Sequence, residues 1–435
     1  MSPETSWSRT TLGACASIKA RIGWKGLHAS EYQHEGYIFL ATPNIKGPEI
    51  DFNDVNFISQ RRYFESPELM LEDKDVLLVK DGSTLGISNL VRNLPGPATV
   101  NGSIAVIRCA DRLVPAFLHQ LTKAAAFQKL IHDKKSGLGV PHLFQADLRQ
   151  FEITLPPVQE QSGVAQVLDT LDTVIHETEA IIAKLKAVKQ GLLHDLLTRG
   201  IDANGELRPP QAEAPHLYKE SLLGWIPKEW EFGALQTWLE GKPRNGYSPQ
   251  EAGEWTGMQM LGLGCLTNEG FEPVQLKRAP RGDTRLAAAM LSDGDLLMSR
   301  SNTRDLVGLV GVYRDVGTPC TYPDLMMRLR PSPETSSEFL QFVLRSSSVR
   351  RQIQAHAVGT SGSMVKISGR IVCQLANAIP PKPEQERIMG CLAAADSRVQ
   401  VEVEEVLVLR DLQAGLMDDL LTGRVRVTPL LEDPE

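Results

Sequence analysis

Four loops mix Arg, Lys, Asn and Ser as a nucleic-acid contact would: "KARIGWKG" from Lys19, "DKKSGLGVPH" from Asp133, "GKPRNGYS" from Gly241 and "SRSNTRD" from Ser299. A guanidinium or carboxamide can meet a base edge with two hydrogen bonds, whereas a pair of ammonium groups such as Lys134 and Lys135 suits phosphate oxygens. The candidate contacts are Lys25, Lys80, Lys134, Lys135 and His142 in the first half of the chain. In the second half they are Arg244, Asn245, Arg300, Asn302, Arg304 and Lys366. Taken singly, each of these reads first as an exposed solubilising charge.

A catalytic kit is missing from the pattern. "GLGCLTNEG" from Gly262 is too short and polar for a dinucleotide or adenosylmethionine turn, and "KDGSTLG" from Lys80 lacks the Gly-Lys-Ser/Thr ending of a phosphate loop. "YPDLMMRLR" from Tyr322 sets an acid beside a strand but has no spaced second acid and lysine, as a nuclease core would require. The nine histidines form no nucleophile–base arrangement. Six scattered cysteines, with no C-x-x-C pair, read as free buried thiols rather than zinc ligands or disulfides. No catalytic residue, metal ligand or cofactor site is therefore assigned, and binding is the expected activity.

The formal charge of −7 argues against a typical nucleic-acid binder, but the acid is unevenly placed. Residues 1–155 carry 17 basic and 16 acidic groups, and 230–379 carry 16 and 14. The excess acid lies outside these two stretches, which leaves them free to focus basic loops. No run reaches the 18 or so apolar residues of a membrane span. "MSPETSWSRT" has no basic-then-apolar signal region, so a cytoplasmic protein is expected.

The elements that must position these loops come in duplicate. Shifted by 224, residues 156–201 lie on 380–425 without a gap and match at 13 of 46 positions, including Pro156, Pro157, Glu160, Gln161 and the Asp195-Leu-Leu-Thr198 ending. Fainter echoes lie upstream: "WSRTTL" at Trp7 and "WEFGAL" at Trp230, "DVLLVKDG" at Asp75 and "DLLMSRSN" at Asp295, and the helical stretches from Phe117 and Phe339. In both long helices apolar residues step by 4, 3, 4, 3, from Val164 to Leu196 and from Ile388 to Leu420. A 3.5-residue repeat is the seam of a coiled coil. Both seams break at matching layers, Thr178 with Glu402 and Lys189 with Gln413, which favours antiparallel pairing with each other and sets Thr178 close to Glu402.

Pro-Pro forces an extended entry, and the helix starts beyond it with Glu160 or Glu384 in the first turn, at the positive end of the dipole. Within each globular stretch, short apolar runs ("DVLLV", "SIAVIR", "DLLMS", "LMMRLR") read as buried strands. The stretches "AFLHQLTKAAAFQKLI" and "EFLQFVLRSSSVRRQI" read as single amphipathic helices. The fold class is α/β (mixed α+β): two tandem globular domains, at 1–155 and 223–379. Long helices at 156–201 and 380–424 pair as an antiparallel coiled coil in a pseudo-two-fold repeat. A polar linker at 202–222 and a tail at 425–435 complete the division.

A Trp-led domain, a "DLL" strand, Pro-Pro-x-x-Glu-Gln, a heptad helix and a "LLT" ending, all twice, resemble the specificity subunit of type I restriction-modification enzymes over essentially the whole chain. Departures are the Lys382-Pro383 pair inside the second cassette and the lack of isoleucine after Gln161. The resemblance implies two target recognition domains, each reading half of a bipartite site in double-stranded DNA. It implies a coiled coil that spaces them and docks two methyltransferase subunits and the restriction subunits. The seam residues carried into that role are Leu168, Leu171, Ile175, Thr178, Leu185, Leu192, Leu392, Val399, Glu402, Leu409 and Leu416. Chemistry would belong to the partners, which would use S-adenosylmethionine, ATP and Mg in a bacterial or archaeal cytoplasm. The rival readings are the recognition part of a fused or type II-like restriction-methylation enzyme, and a scaffold or anti-restriction protein that reads no DNA.

Overall fold

The computed structural model describes residues 7–21, 27–135, 141–361 and 364–427. Two compact units emerge, one from 1–183 with 401–435 and one from 184–400. Each unit takes the start of one long helix and the end of the other, so the duplication seen in sequence is not cut at the domain–helix joints.

In the first unit, four antiparallel strands run in the order Ala16–Lys19, Ile104–Cys109, Val76–Val79, Ser88–Leu90. The second unit repeats that order with Arg244–Asn245, Met326–Leu329, Leu296–Ser299 and Val310–Val312. A three-stranded sheet with one parallel pair accompanies each: Asn56–Ile58, Tyr37–Leu40, Ala98–Val100, and Leu276–Arg278, Gln259–Leu261, Cys320–Thr321. The central strands Val76–Val79 and Leu296–Ser299 are buried at all four positions, which is why they read as continuous apolar runs rather than alternation. The aspartate that leads each is clamped by an arginine that also bonds a methionine carbonyl. Arg108 grips Asp75 at 2.8 Å and the Met70 carbonyl, and Arg328 grips Asp295 at 2.9 Å and the Met290 carbonyl.

Each stretch expected as one helix is two. Pro115–Lys123 and Ala125–Lys135 break at Ala124, and Ser337–Arg345 and Ser347–His356 break at Ser346. The break residue is extended in both, and its N–H returns to the carbonyl three residues back, closing the helix locally without proline.

The long helices run Val158–Thr198 and Lys382–Thr422, both starting just past Pro-Pro. In the first unit Asp172 meets Gln413 at 2.6 Å, and Glu179 pairs with Arg410; in the second, Lys189 pairs with Asp396. Ascending numbers on one helix face descending numbers on the other, so the pairing is antiparallel. Asp172 and Asp396 are duplicates, as are Gln413 and Lys189, so one polar contact occurs twice. Both seam breaks at this layer are thereby satisfied, and polar pairs of this kind fix register. Carried along the first unit's heptads, that register levels Thr178 with Val406 and Ile182 with Glu402. The other two polar positions, expected close to one another, therefore fall in adjacent layers, and both are buried.

The glutamate of each cassette closes a lock. In the first unit Glu160 receives Arg426 Nε and Nη2, at 2.5 and 2.7 Å, and Trp7 Nε1 at 3.2 Å. In the second, Glu384 receives both Arg208 terminal nitrogens at 2.5 and 3.0 Å, Trp230 Nε1 at 3.1 Å and the Ile201 N–H at 3.0 Å. Burial would raise the Glu160 carboxyl, but Arg426 and Trp7 outweigh it and hold it below the usual carboxylate range. Gln161 and Gln385 sit beside these locks, their amides bonding the carbonyls of Pro156 and Arg112, and of Pro380 and Glu334. Each helix ends in a left-handed glycine, Gly200 (φ +64°) or Gly423 (φ +76°), packed on the lock. A Cβ on Gly200 would come within 2.1 Å of the Glu384 carboxylate. The expected linker therefore has more to bury than its polarity suggests: Arg208, Ala214 and Tyr218 are all under 9% exposed.

Candidate nucleic-acid interface

In the first unit, buried strand Val76–Val79 delivers Lys80 and Asp81 at its C-terminal end, where two backbone bonds pin Lys80. Its N–H reaches the Ser103 carbonyl at 2.8 Å, and its carbonyl takes the Leu143 N–H at 2.9 Å. Asp81 then pairs with His142 as an isolated antiparallel bridge. Lys80 Nζ donates to Asp81 Oδ2 at 2.8 Å, and His142 Nδ1 contacts Oδ1. The Lys80 side chain is only 9% exposed, against 27% for Asp81 and 34% for His142. The Phe144 ring, largely exposed, stands edge-on to His142 at 4.3 Å. These groups line a cleft of about 910 Å³ with Arg21, Asn101 and Arg149 on its walls.

The second unit repeats the backbone of this place with other side chains. Strand Leu296–Ser299 leads into Arg300, whose carbonyl takes the Ile367 N–H at 2.9 Å, as Lys80 takes Leu143. Ser301 pairs antiparallel with Lys366, as Asp81 does with His142. Arg300 Nη1 reaches the Asp324 carbonyl at 3.4 Å, and the Asp324 carboxylate is engaged by Ser248 at 2.5 Å. Lys366 is exposed and has no carboxylate partner among the described residues. Nearby, Arg244 and Asn245 form an edge strand, and Arg244 shares a small recess with Lys242, Arg328 and Arg330.

The candidate contacts from sequence thus divide. Lys80 and His142 come together in the first unit; Arg300, Asn302 and Lys366 come together in the second. Lys134 is committed to Asp147 at 2.9 Å, whose carboxyl burial would raise but which Lys134 and the Phe144 N–H hold below its ordinary value. Lys135 is exposed at the end of its helix, and Arg304 donates to the Gln354 carbonyl at 2.9 Å. Lys25 lies outside the described residues. Sequence reading missed Asp81, which has no signal apart from its neighbour, and the exposed Trp255. The Trp255 loop is tethered by Arg278 to Gly253 and by Arg281 to Thr256.

The seam residues are turned inward. Leu168 is fully buried with Leu420 and Leu421, and Leu392 with Leu196; Ile175, Thr178 and Glu402 are buried too, while Leu171, Leu185, Leu192, Val399, Leu409 and Leu416 are half-buried. The apolar groups these helices leave open to a partner are others: Val174, Ile181, Leu407, Val408 and Leu412 in the first unit. No helix among the described residues is long and apolar enough to cross a membrane.

Residues 31–187 match the type I restriction modification DNA specificity domain. The chain is 22% identical over 443 residues to the type I restriction enzyme EcoKI specificity subunit of Escherichia coli (strain K12), covering all of this chain and 92% of that one. It is also 22% identical over 373 residues to the MjaVIII specificity subunit of Methanocaldococcus jannaschii, covering 83% and 82% of the two chains. Among solved structures, the fold is similar to the type I restriction-modification S subunit from M. genitalium at a TM-score of 0.52 and 14% identity, over 97% of each chain. A chain from a type I R-M system described for its complex assembly and conformational transition gives a TM-score of 0.55 at 16% identity, over 95% of this chain and 97% of that one.

Proposed function

The chain belongs to the specificity subunits of type I restriction-modification enzymes, and from that premise we propose that each of its two units reads one half of a bipartite site in double-stranded DNA. The observation that carries this reading is the repeated place at the end of the central strand. Backbone, strand order and the clamping Arg–Asp pair recur there, while the side chains at that place change from Lys80-Asp81-His142 to Arg300-Ser301-Lys366. A scaffold that reads no DNA gives no reason for that pattern, whereas a pair of readers for two different half-sites does.

In this reading the exposed apolar groups of the helices dock methyltransferase subunits, which in turn engage the restriction subunits. This chain's own residues hold DNA and set the bases; adenosylmethionine, ATP and Mg serve the partners. Co-expressing the chain with its methyltransferase subunits in a methylation-free host tests the proposal. A split adenine-methylated motif should appear, and it should vanish when this chain is omitted. Methylation that persists without the chain, or that falls on an unsplit motif, would overturn it.

A further inference from the structure

The cleft of the first unit holds a carboxylate where a DNA-facing surface would ordinarily be cationic, and that feature identifies what it can bind. Asp81 would repel a phosphate, and Lys80 is no phosphate ligand either: its ammonium is buried and directed at Asp81 Oδ2, 2.8 Å away. Lys80 acts as an internal counter-ion that lets a negative group face a polyanion. His142 on Oδ1 fixes the carboxylate plane from the other side. Each carboxylate oxygen has two acceptor positions, and Lys80 and His142 use one on each, while Asp81 lines the cleft. A carboxylate accepts only, and the DNA groups that donate in the major groove are the exocyclic amines of cytosine and adenine.

The same place in the second unit has the opposite chemistry. Arg300 and Lys366 only donate, and the Ser301 hydroxyl is buried, leaving no acceptor at the position equivalent to Asp81. The Arg300 guanidinium, at the place Lys80 takes in the first unit, matches the two acceptors of a guanine edge.

Resting on the reading that the two units recognise DNA half-sites, we infer that Asp81 is a specificity-determining residue that accepts a cytosine or adenine amino group in one half-site. Arg300, which stands where Lys80 stands in the first unit, reads a guanine edge in the other. Lys80 and His142 are positioning residues for Asp81.

The test uses the full chain assembled with its methyltransferase subunits, with methylated sites mapped in a methylation-free host. Asp81→Asn should relax or change one base of one half-site, lowering preference for the original base by about tenfold to a hundredfold, and leave the other half-site intact. Asp81→Ser, which installs the side chain the second unit already carries at this place, should do the same. Arg300→Gln should change one base of the other half-site only. If the wild-type complex methylates a split motif and these variants keep every base of it, with at most a uniform loss of rate, the inference is wrong while the recognition function stands. Absence of a split motif with the wild-type complex would instead remove the recognition function beneath it.

Discussion

The two units share a framework and part company at the end of the central strand. Both contain the Arg–Asp clamp beneath the central strand, the Glu lock at the helix start and the Asp contact across the helices. At that strand end the first unit has a compensated Lys–Asp–His cluster, and the second has an Arg and a Lys without a carboxylate partner among the described residues. Parts that hold the backbone have been kept in both copies, and the side chains at this one place have diverged. The duplication thus separates scaffold from reader within a single chain.

The framework itself is not perfectly symmetric, and the largest expected effect exploits that. Glu384 and its partner Arg208 are both buried, with side chains 4% and 9% exposed, whereas Arg426 on Glu160 is 35% exposed. Removing one partner of a buried pair typically costs about 3–5 kcal/mol. Glu384→Ala should therefore destabilise the second unit by that order, and Glu160→Ala should cost the first unit less because Arg426 can turn to water. Denaturant unfolding followed by limited proteolysis would rank them, and equal losses would show that the two locks are equivalent.

Acid should also separate the units. Burial first, with Lys123 adding to it, pushes His119 in the first unit down to about 3, while the second unit has Gln341 at the matching position. Between that value and about 6.5 the unfolded chain binds a proton that the folded unit does not, so stability falls as pH falls through the window. By pH 5 the loss is roughly 2 kcal/mol. Asp172, whose carboxyl burial would raise but which Lys123, Gln120 and Gln413 hold low, adds a loss of the same sign below about pH 4. Hydrogen exchange across a pH series should show the first unit opening before the second, and His119→Gln should flatten its response above pH 4. A parallel response in both units would count against the histidine as the cause.

The helix layers offer a gentler contrast. Lys189→Leu replaces a half-buried ion pair with a seam residue, and Asp396 is left half in water. Stability should hold or rise by about 1 kcal/mol, since apolar replacements of such pairs are often neutral or stabilising. Gln413→Leu should be nearly neutral, because Asp172 keeps Lys123 and Gln120. Thermal melts of both variants would check this, and a loss of several kcal/mol in either would give the polar layer a larger part than register.

The smallest effect concerns phosphates. Exposed Arg244 sits in the second unit's basic recess, so Arg244→Ala should lower DNA affinity without altering the sequence read, and reduce the salt slope by about 1. A change of motif would move Arg244 from the phosphates to the bases.

The sequence alone determined what depends on local periodicity. The duplication, the buried central strands, the start of each long helix after Pro-Pro and the two polar layers were legible because near neighbours in the chain set them. Tertiary structure decided what depends on distant partners. Glu160 and Glu384 read as dipole-matching residues, yet Arg426 and Arg208, 266 and 176 residues away, make them locks. Antiparallel pairing followed from the repeat, but the register that staggers Thr178 and Glu402 needed Asp172, Gln413, Lys189 and Asp396 in place. Lys80 read as a DNA contact; only the fold shows that its charge is turned inward onto Asp81. A side chain's type states what it can bond, but burial and the groups brought against it decide which bond it makes.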